Sequence, residues 1–176
     1  MDLIQQIDQG FNPKFLFFWG HQPKKDQTIG KYCFSQWFNA PFIIEEITYL
    51  TAEHYMMAEK ARLFQDDVIL QKILMAEHPG EVKMLGRQVR DFNEQLWLQH
   101  RLDIAYRGNM AKFLQHLPLQ QFLANTANRV LVEASPVDSI WGIGLSEEHS
   151  DASMPSAWPG LNLLGFVLMK VRENLL

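Results

Sequence analysis

Short apolar runs closed by glycine, proline or polar clusters dominate the first fifty positions, and apolar residues at three- and four-residue spacing take over afterwards. Phe15–Trp19 is aromatic and ends at Gly20, which predicts a buried strand. Tyr32–Phe38 and Phe42–Tyr49 predict two more, linked through Asn39-Ala40-Pro41. Residues 20–30 carry His, Pro, Lys, Asp, Thr and Gly and predict a loop. Residues 1–13 are polar, end in Asn12-Pro13, and are expected to be a lightly ordered lead-in.

From Thr51 the pattern is helical. Thr51 suits an N-cap, Glu53 falls in the first turn, and Ala58 to Arg62 are strong helix formers, so a helix should run to about Phe64. A short helix over 67–76 and another opened by Pro79 and running toward Val89 follow. Asp91–Tyr106, with Phe92, Leu96, Leu98, Leu102 and Ala105, predicts an amphipathic core helix. Helices over 109–116 and 118–125, a strand over Arg129–Ala134 and a closing helix over Leu163–Leu175 complete the pattern. Neither a repeat nor an interdomain linker is visible.

Composition narrows the class. The 176 residues are 47% hydrophobic and 20% charged, which excludes disordered and fibrous classes. The longest apolar run, Leu163–Met169, is far too short to span a bilayer, so no membrane partner is expected. A net charge of −4 disfavours a nucleic-acid surface and leaves small anionic ligands open. The start Met-Asp-Leu-Ile-Gln-Gln has neither the basic nor the apolar stretch of a secretory signal, and Cys33 is the single cysteine, so a cytoplasmic protein with a buried, inert thiol is expected. The six histidines show no metal-ligand spacing, so neither a metal nor another cofactor is expected.

Two segments carry candidate chemistry. In Thr51–Lys60, the residues Glu53, Met57, Lys60 and Phe64 follow four-, three- and four-residue steps and share one helical stripe. Glu53 and Lys60 stand two turns apart, about 10 Å along the axis, so a ligand between them fits the spacing. A structural ion pair with one side chain reaching solvent fits it as well. His54 points about 100° away and reads as structural. The second segment, Glu133 to Gly144, runs from a strand into a turn with Asp138, Trp141, Gly142 and Gly144. Trp supplies a stacking face and glycine a close backbone approach; an ordinary turn with a packed indole is the alternative.

Six spaced blocks occur together: Phe17-Phe18-Trp19-Gly20-His21, Ser35-Gln36-Trp37-Phe38 with Pro41-Phe42, Ala52–Lys60, Leu131–Asp138, Trp141–Leu145 and Gly160–Gly165. In this order they resemble the YbiA-like NADAR family, over residues 15–173. The resemblance implies an α+β fold, a single compact and mainly helical domain with a small β-sheet, over 15–176 after a lead-in of 1–14. It implies an N-glycosidase, a hydrolase acting on a phosphorylated N-riboside of riboflavin biosynthesis. The alternatives it implies are release of ADP-ribose from nucleobases and non-catalytic ADP-ribose binding. Glu53 and Lys60 become the catalytic candidates. Trp19, Gly20, Ser35, Trp37, Phe38, Asp138, Trp141, Gly142, Gly144 and Asn162 become substrate-binding candidates, with the two glycines at 142 and 144 opening main-chain donors to a phosphate.

Overall fold

A computed structural model describes residues 3–23, 25 and 28–175. In chain order its elements are α1 (Leu3–Asp8), β1 (Phe15–Phe18), a 3₁₀ turn (Lys31–Phe34), β2 (Phe42–Ile44), β3 (Ile47–Tyr49), α2 (Ala52–Leu63), α3 (Asp67–Met75), α4 (Pro79–Arg87), α5 (Glu94–Gln115), α6 (Leu117–Ala124), β4 (Val130–Glu133), a 3₁₀ turn (Pro155–Ala157) and α7 (Leu163–Leu175). The fold is α+β and mainly helical, as expected. Two compact units divide it, one of the residues up to Ser35 and from Gln121 onward, the other of Gln36–Gln120.

The first unit rests on β1 and β4, paired in parallel with Phe15 opposite Val130 and Phe18 opposite Glu133. Val130, Leu131 and Val132 are all buried, the continuous apolar run of a strand covered on both faces. Helix α7 packs on β4. Gly165 makes that approach possible, because a Cβ there would stand 2.1 Å from the Leu131 carbonyl oxygen. Val130 and Val132 join Ile143, Ala152 and Leu3 in one apolar cluster. The expected lead-in therefore contains a helix, α1, whose Leu3 is buried; apolar positions 3 and 7 give it an inward side that a polar average hides.

The strand expected over Tyr32–Phe38 is a 3₁₀ turn instead. Tyr32, Cys33 and Phe34 are buried in succession, and their backbone closes through i-to-i+3 bonds rather than pairing with a strand. Cys33 N–H donates to the Gly30 carbonyl and Ser35 N–H to that of Tyr32, and the Tyr32 hydroxyl donates to the Thr28 carbonyl. Phe34 packs edge-on against Phe18, with ring centroids 5.5 Å apart. A short apolar run does not reveal its period, and these local bonds decide it.

In the second unit, Phe42–Tyr49 is not one strand but a hairpin, with Phe42 opposite Tyr49. Glu45 and Glu46 form its two-residue turn at φ 50° and 64°, left-handed at both central positions. Asparagine and glycine ordinarily mark such a turn, and two glutamates hide it. Helix α2 packs against α3, α4 and α5. Its cap is the predicted Thr51, whose Oγ1 accepts from His54 N–H and stands 2.8 Å from His54 Nδ1. On the far side of the ring, Nε2 stands 3.1 Å from the Ala76 carbonyl and donates to it. Burial lowers the His54 pKa, so the neutral ring is retained in its structural role.

Asp66 caps α3 and also accepts from the Arg90 backbone and guanidinium, which hold its carboxyl far below the usual carboxylate range. The helices expected over 91–106 and 109–116 are one continuous α5. Gly108 does not stop it; it lies against Tyr55, where a Cβ would meet the ring at 2.5 Å. The burial also differs from expectation, since Phe92, Leu98 and Leu102 are exposed and the buried face starts at Ile104.

Gly165→Ala should destabilise the fold by about 3 kcal/mol, because its methyl group meets rigid β4 backbone rather than a yielding side chain. Denaturant unfolding of the two proteins checks this, and equal midpoints would contradict the close α7–β4 approach.

Candidate active site

Every residue from Thr51 to Ala58 is buried, so the first turns of α2 are enclosed on all sides. Glu53 sits in the first turn, 4% exposed, and its N–H donates to the Gln36 carbonyl at 3.0 Å. The positive end of the helix dipole favours a carboxylate there. Two turns on, Lys60 is half-buried and donates from Nζ to the Gly86 carbonyl at 2.7 Å. That carbonyl belongs to the last turn of α4, where the negative end of a helix attracts a cation. Met57 occupies the space where a Gly86 Cβ would be, so a side chain at 86 would force Met57 or α4 to move.

The Lys60 ammonium also lies 4.3 Å from the Phe92 ring centroid and 5.6 Å from that of Trp97. Burial lowers its pKa, and the charge of Glu53 opposes that shift. The shared stripe is real, and the two ionisable groups on it influence each other. Trp37 and Phe38 are in the same unit, each facing a cation: Lys83 Nζ is 5.9 Å from the Trp37 ring, and Lys112 Nζ is 5.6 Å from that of Phe38.

The other candidates belong to the first unit. Trp19 is 57% exposed and is followed by Gly20 at φ 79°, while Ser35 closes the 3₁₀ turn. Asp138 Oδ1 accepts from the N–H groups of Ile140 and Trp141 at 2.9 and 2.8 Å, an Asx turn that sets the indole. The two glycines expected to open main-chain donors to a phosphate are also closely packed. A Cβ at Gly142 would meet the carbonyl oxygens of Glu133 and Asp138, and the Gly144 N–H already donates to Asp138.

Asn162 is held by the protein's own backbone. It is fully buried, its Oδ1 accepts from Glu133 N–H at 2.9 Å, and its Nδ2 donates to the Leu131 carbonyl at 2.9 Å. Its amide clamps β4 to the start of α7. The open groove lined by Ile4, Phe11, Phe15 and Met154 contains none of the candidates. Among the described residues no group of three or more His, Cys, Asp or Glu is placed to hold a metal ion.

A sequence model of the NADAR domain matches residues 17–176. The chain belongs to the NADAR domain family. It is 45% identical over 166 residues to a protein named N-glycosidase from Acanthamoeba polyphaga mimivirus, covering 92% of this chain and 96% of that one. It is 36% identical over 136 residues to a chloroplastic riboflavin biosynthesis protein of Zea mays, spanning 73% of this chain and 20% of that one. The NMR structure of Escherichia coli YbiA superposes with a TM-score of 0.72 at 26% identity, covering 98% of this chain and 90% of that one.

Gln36, Asn109 and Lys112 are buried polar residues of this NADAR domain that the sequence reading did not single out. Asn109 and Lys112 lie on the buried face of α5 that holds Ala105 and Phe113. Breaking that helix at 107 and 108 loses the phase that turns both inward.

Glu53→Gln should lower the Lys60 pKa further, since it deletes a charge that supports the ammonium. Titration of the reductively methylated amine by NMR reads this directly, and an unchanged titration would separate the two groups.

Proposed function

We propose that this NADAR protein is an N-glycosidase that hydrolyses the C–N bond between ribose phosphate and an aminopyrimidine in riboflavin-biosynthesis intermediates. The observation that carries the reading is a buried carboxylate and a half-buried amine of lowered pKa on one stripe of α2. The names of the mimivirus and maize relatives support the reaction and the substrate class. We assign the NADAR domain to residues 15–176. A lone, buried Cys33 suits a reducing cytoplasm, and among the described residues no helix is long and apolar enough to cross a membrane.

Cleavage of the bond builds positive charge on the sugar, which a buried carboxylate at Glu53 stabilises strongly because no water screens it. Lys60 supplies a nucleophile. When the ribosylamine ring opens to an imine, Lys60, once its ammonium has given up a proton, adds at C1 as the amine, the aminopyrimidine leaves with the transferred proton, and a lysine imine remains. Water then adds to that imine and releases the sugar aldehyde and the free amine. The sequence consumes one water and requires neither an oxidant nor a cofactor. Trp37 and Phe38 offer the flat faces for the base.

Borohydride added during turnover should reduce the imine and leave one sugar-derived mass on the peptide containing Lys60. Mass spectrometry of the digest, with released base assayed in the same tube, checks it. Turnover without an adduct would move Lys60 from nucleophile to a cation that binds the sugar phosphate. Absence of base release from any N-riboside would end the N-glycosidase reading.

A further inference from the structure

Two neighbouring side chains in the second unit each bury a polar atom that has no hydrogen-bond partner. They are a donor, Gln36 Nε2, and an acceptor, Asn109 Oδ1. Gln36 is 6% exposed and Asn109 is not exposed at all, so bulk water does not serve either. Their orientations are fixed by their other halves. Asn109 Nδ2 donates to the Ala105 carbonyl at 2.9 Å, and it reaches Gln36 Oε1 at 3.4 Å. Turning the Asn109 amide around would set its oxygen against a carbonyl, and turning Gln36 would set two donors against each other. The unpaired atoms are therefore one donor and one acceptor.

Their place is also informative. The Gln36 carbonyl accepts from Glu53 N–H, so the amide pair is tied to the turn that holds the carboxylate. Trp37 and Phe38 follow Gln36 directly. A buried amide without a partner carries a desolvation penalty in the free protein, and an apolar side chain of the same shape would remove it. Retaining two such atoms beside an active-site carboxylate points to a ligand that completes them.

Resting on the N-glycosidase reading, we propose that Gln36 and Asn109 form a specificity clamp for one neutral substrate group that accepts and donates at once. Both a sugar hydroxyl and the lactam edge of a base have that property. An isolated carbonyl would satisfy Gln36 alone, and a phosphate would meet the lone pairs of Asn109 Oδ1, so the clamp excludes the anionic end of the substrate.

The test uses Gln36→Met, which keeps length and removes the donor, and Gln36→Glu, which keeps shape and turns the donor into an acceptor. Titration calorimetry measures affinity for two probes, ribose 5-phosphate and uracil, alongside the melting temperature. Gln36→Met should melt at or above the parent while losing about tenfold or more in affinity for one probe. Loss confined to ribose 5-phosphate assigns the sugar hydroxyl, and loss confined to uracil assigns the lactam edge. If Gln36→Met does not fold, Gln36→Glu must show the same loss. Unchanged affinity for both probes in a folded variant, or no binding of either by the parent, overturns the clamp. Turnover of an N-riboside by the parent is measured separately. Its absence with probe binding and the Gln36 effect intact removes the N-glycosidase reading alone, whereas turnover with unaltered Gln36→Met affinities removes the clamp alone.

Discussion

Enclosing a carboxylate in the first turn of α2 is the constraint that the rest of the second unit answers. An ionised group removed from water is costly unless dipoles and charges replace its hydration. Glu53 has the helix N-terminus beneath it and the cation of Lys60 acting on it from two turns away. Lys60 in turn is held by the Gly86 carbonyl and the face of Phe92. A glycine at 86 permits that contact, because Met57 fills the volume a side chain would take. Packing choices on two helices thus trace back to one charge.

The same constraint explains how the helix is anchored. Thr51 and His54 close the start of α2, with the imidazole bridging to the end of α3 at Ala76. A neutral ring serves here, since a second charge beside Glu53 would need hydration of its own. Asp66 and Arg90 make the corresponding tie at the start of α3, where the ion pair is exposed on the arginine side and buried on the aspartate side.

How far the sequence could be read follows from these interactions. Helices α2, α3, α4 and α7 were legible because caps, proline and apolar spacing agree locally. The 3₁₀ turn at Lys31–Phe34 and the hairpin turn at Glu45-Glu46 were not, since each depends on tertiary burial that overrides residue preference. The pattern reads as two helices parted at 107 and 108, yet Gly108 lies inside α5 and provides the close approach to Tyr55. Glu53 and Lys60 could be placed on one stripe from spacing alone. Asn162 and Gly142 carry the family pattern, but their bonds and clearances show structural duty on β4. Gln36 could not be singled out, because a polar residue within an aromatic run gives no sign of which of its atoms go unpaired.

The parallel pairing of β1 with β4 has a consequence for synthesis of the chain. Gln36–Gln120 is continuous, and its helices can pack as soon as they leave the ribosome, whereas Phe15 must wait for Val130. At about 5–20 residues per second, translation of the intervening segment takes on the order of ten seconds. Through that interval the nascent polypeptide presents Phe15-Leu16-Phe17-Phe18 without its strand partner. That is a chaperone-binding and aggregation-prone surface, exposed while the unit bearing Glu53 and Lys60 is free to mature.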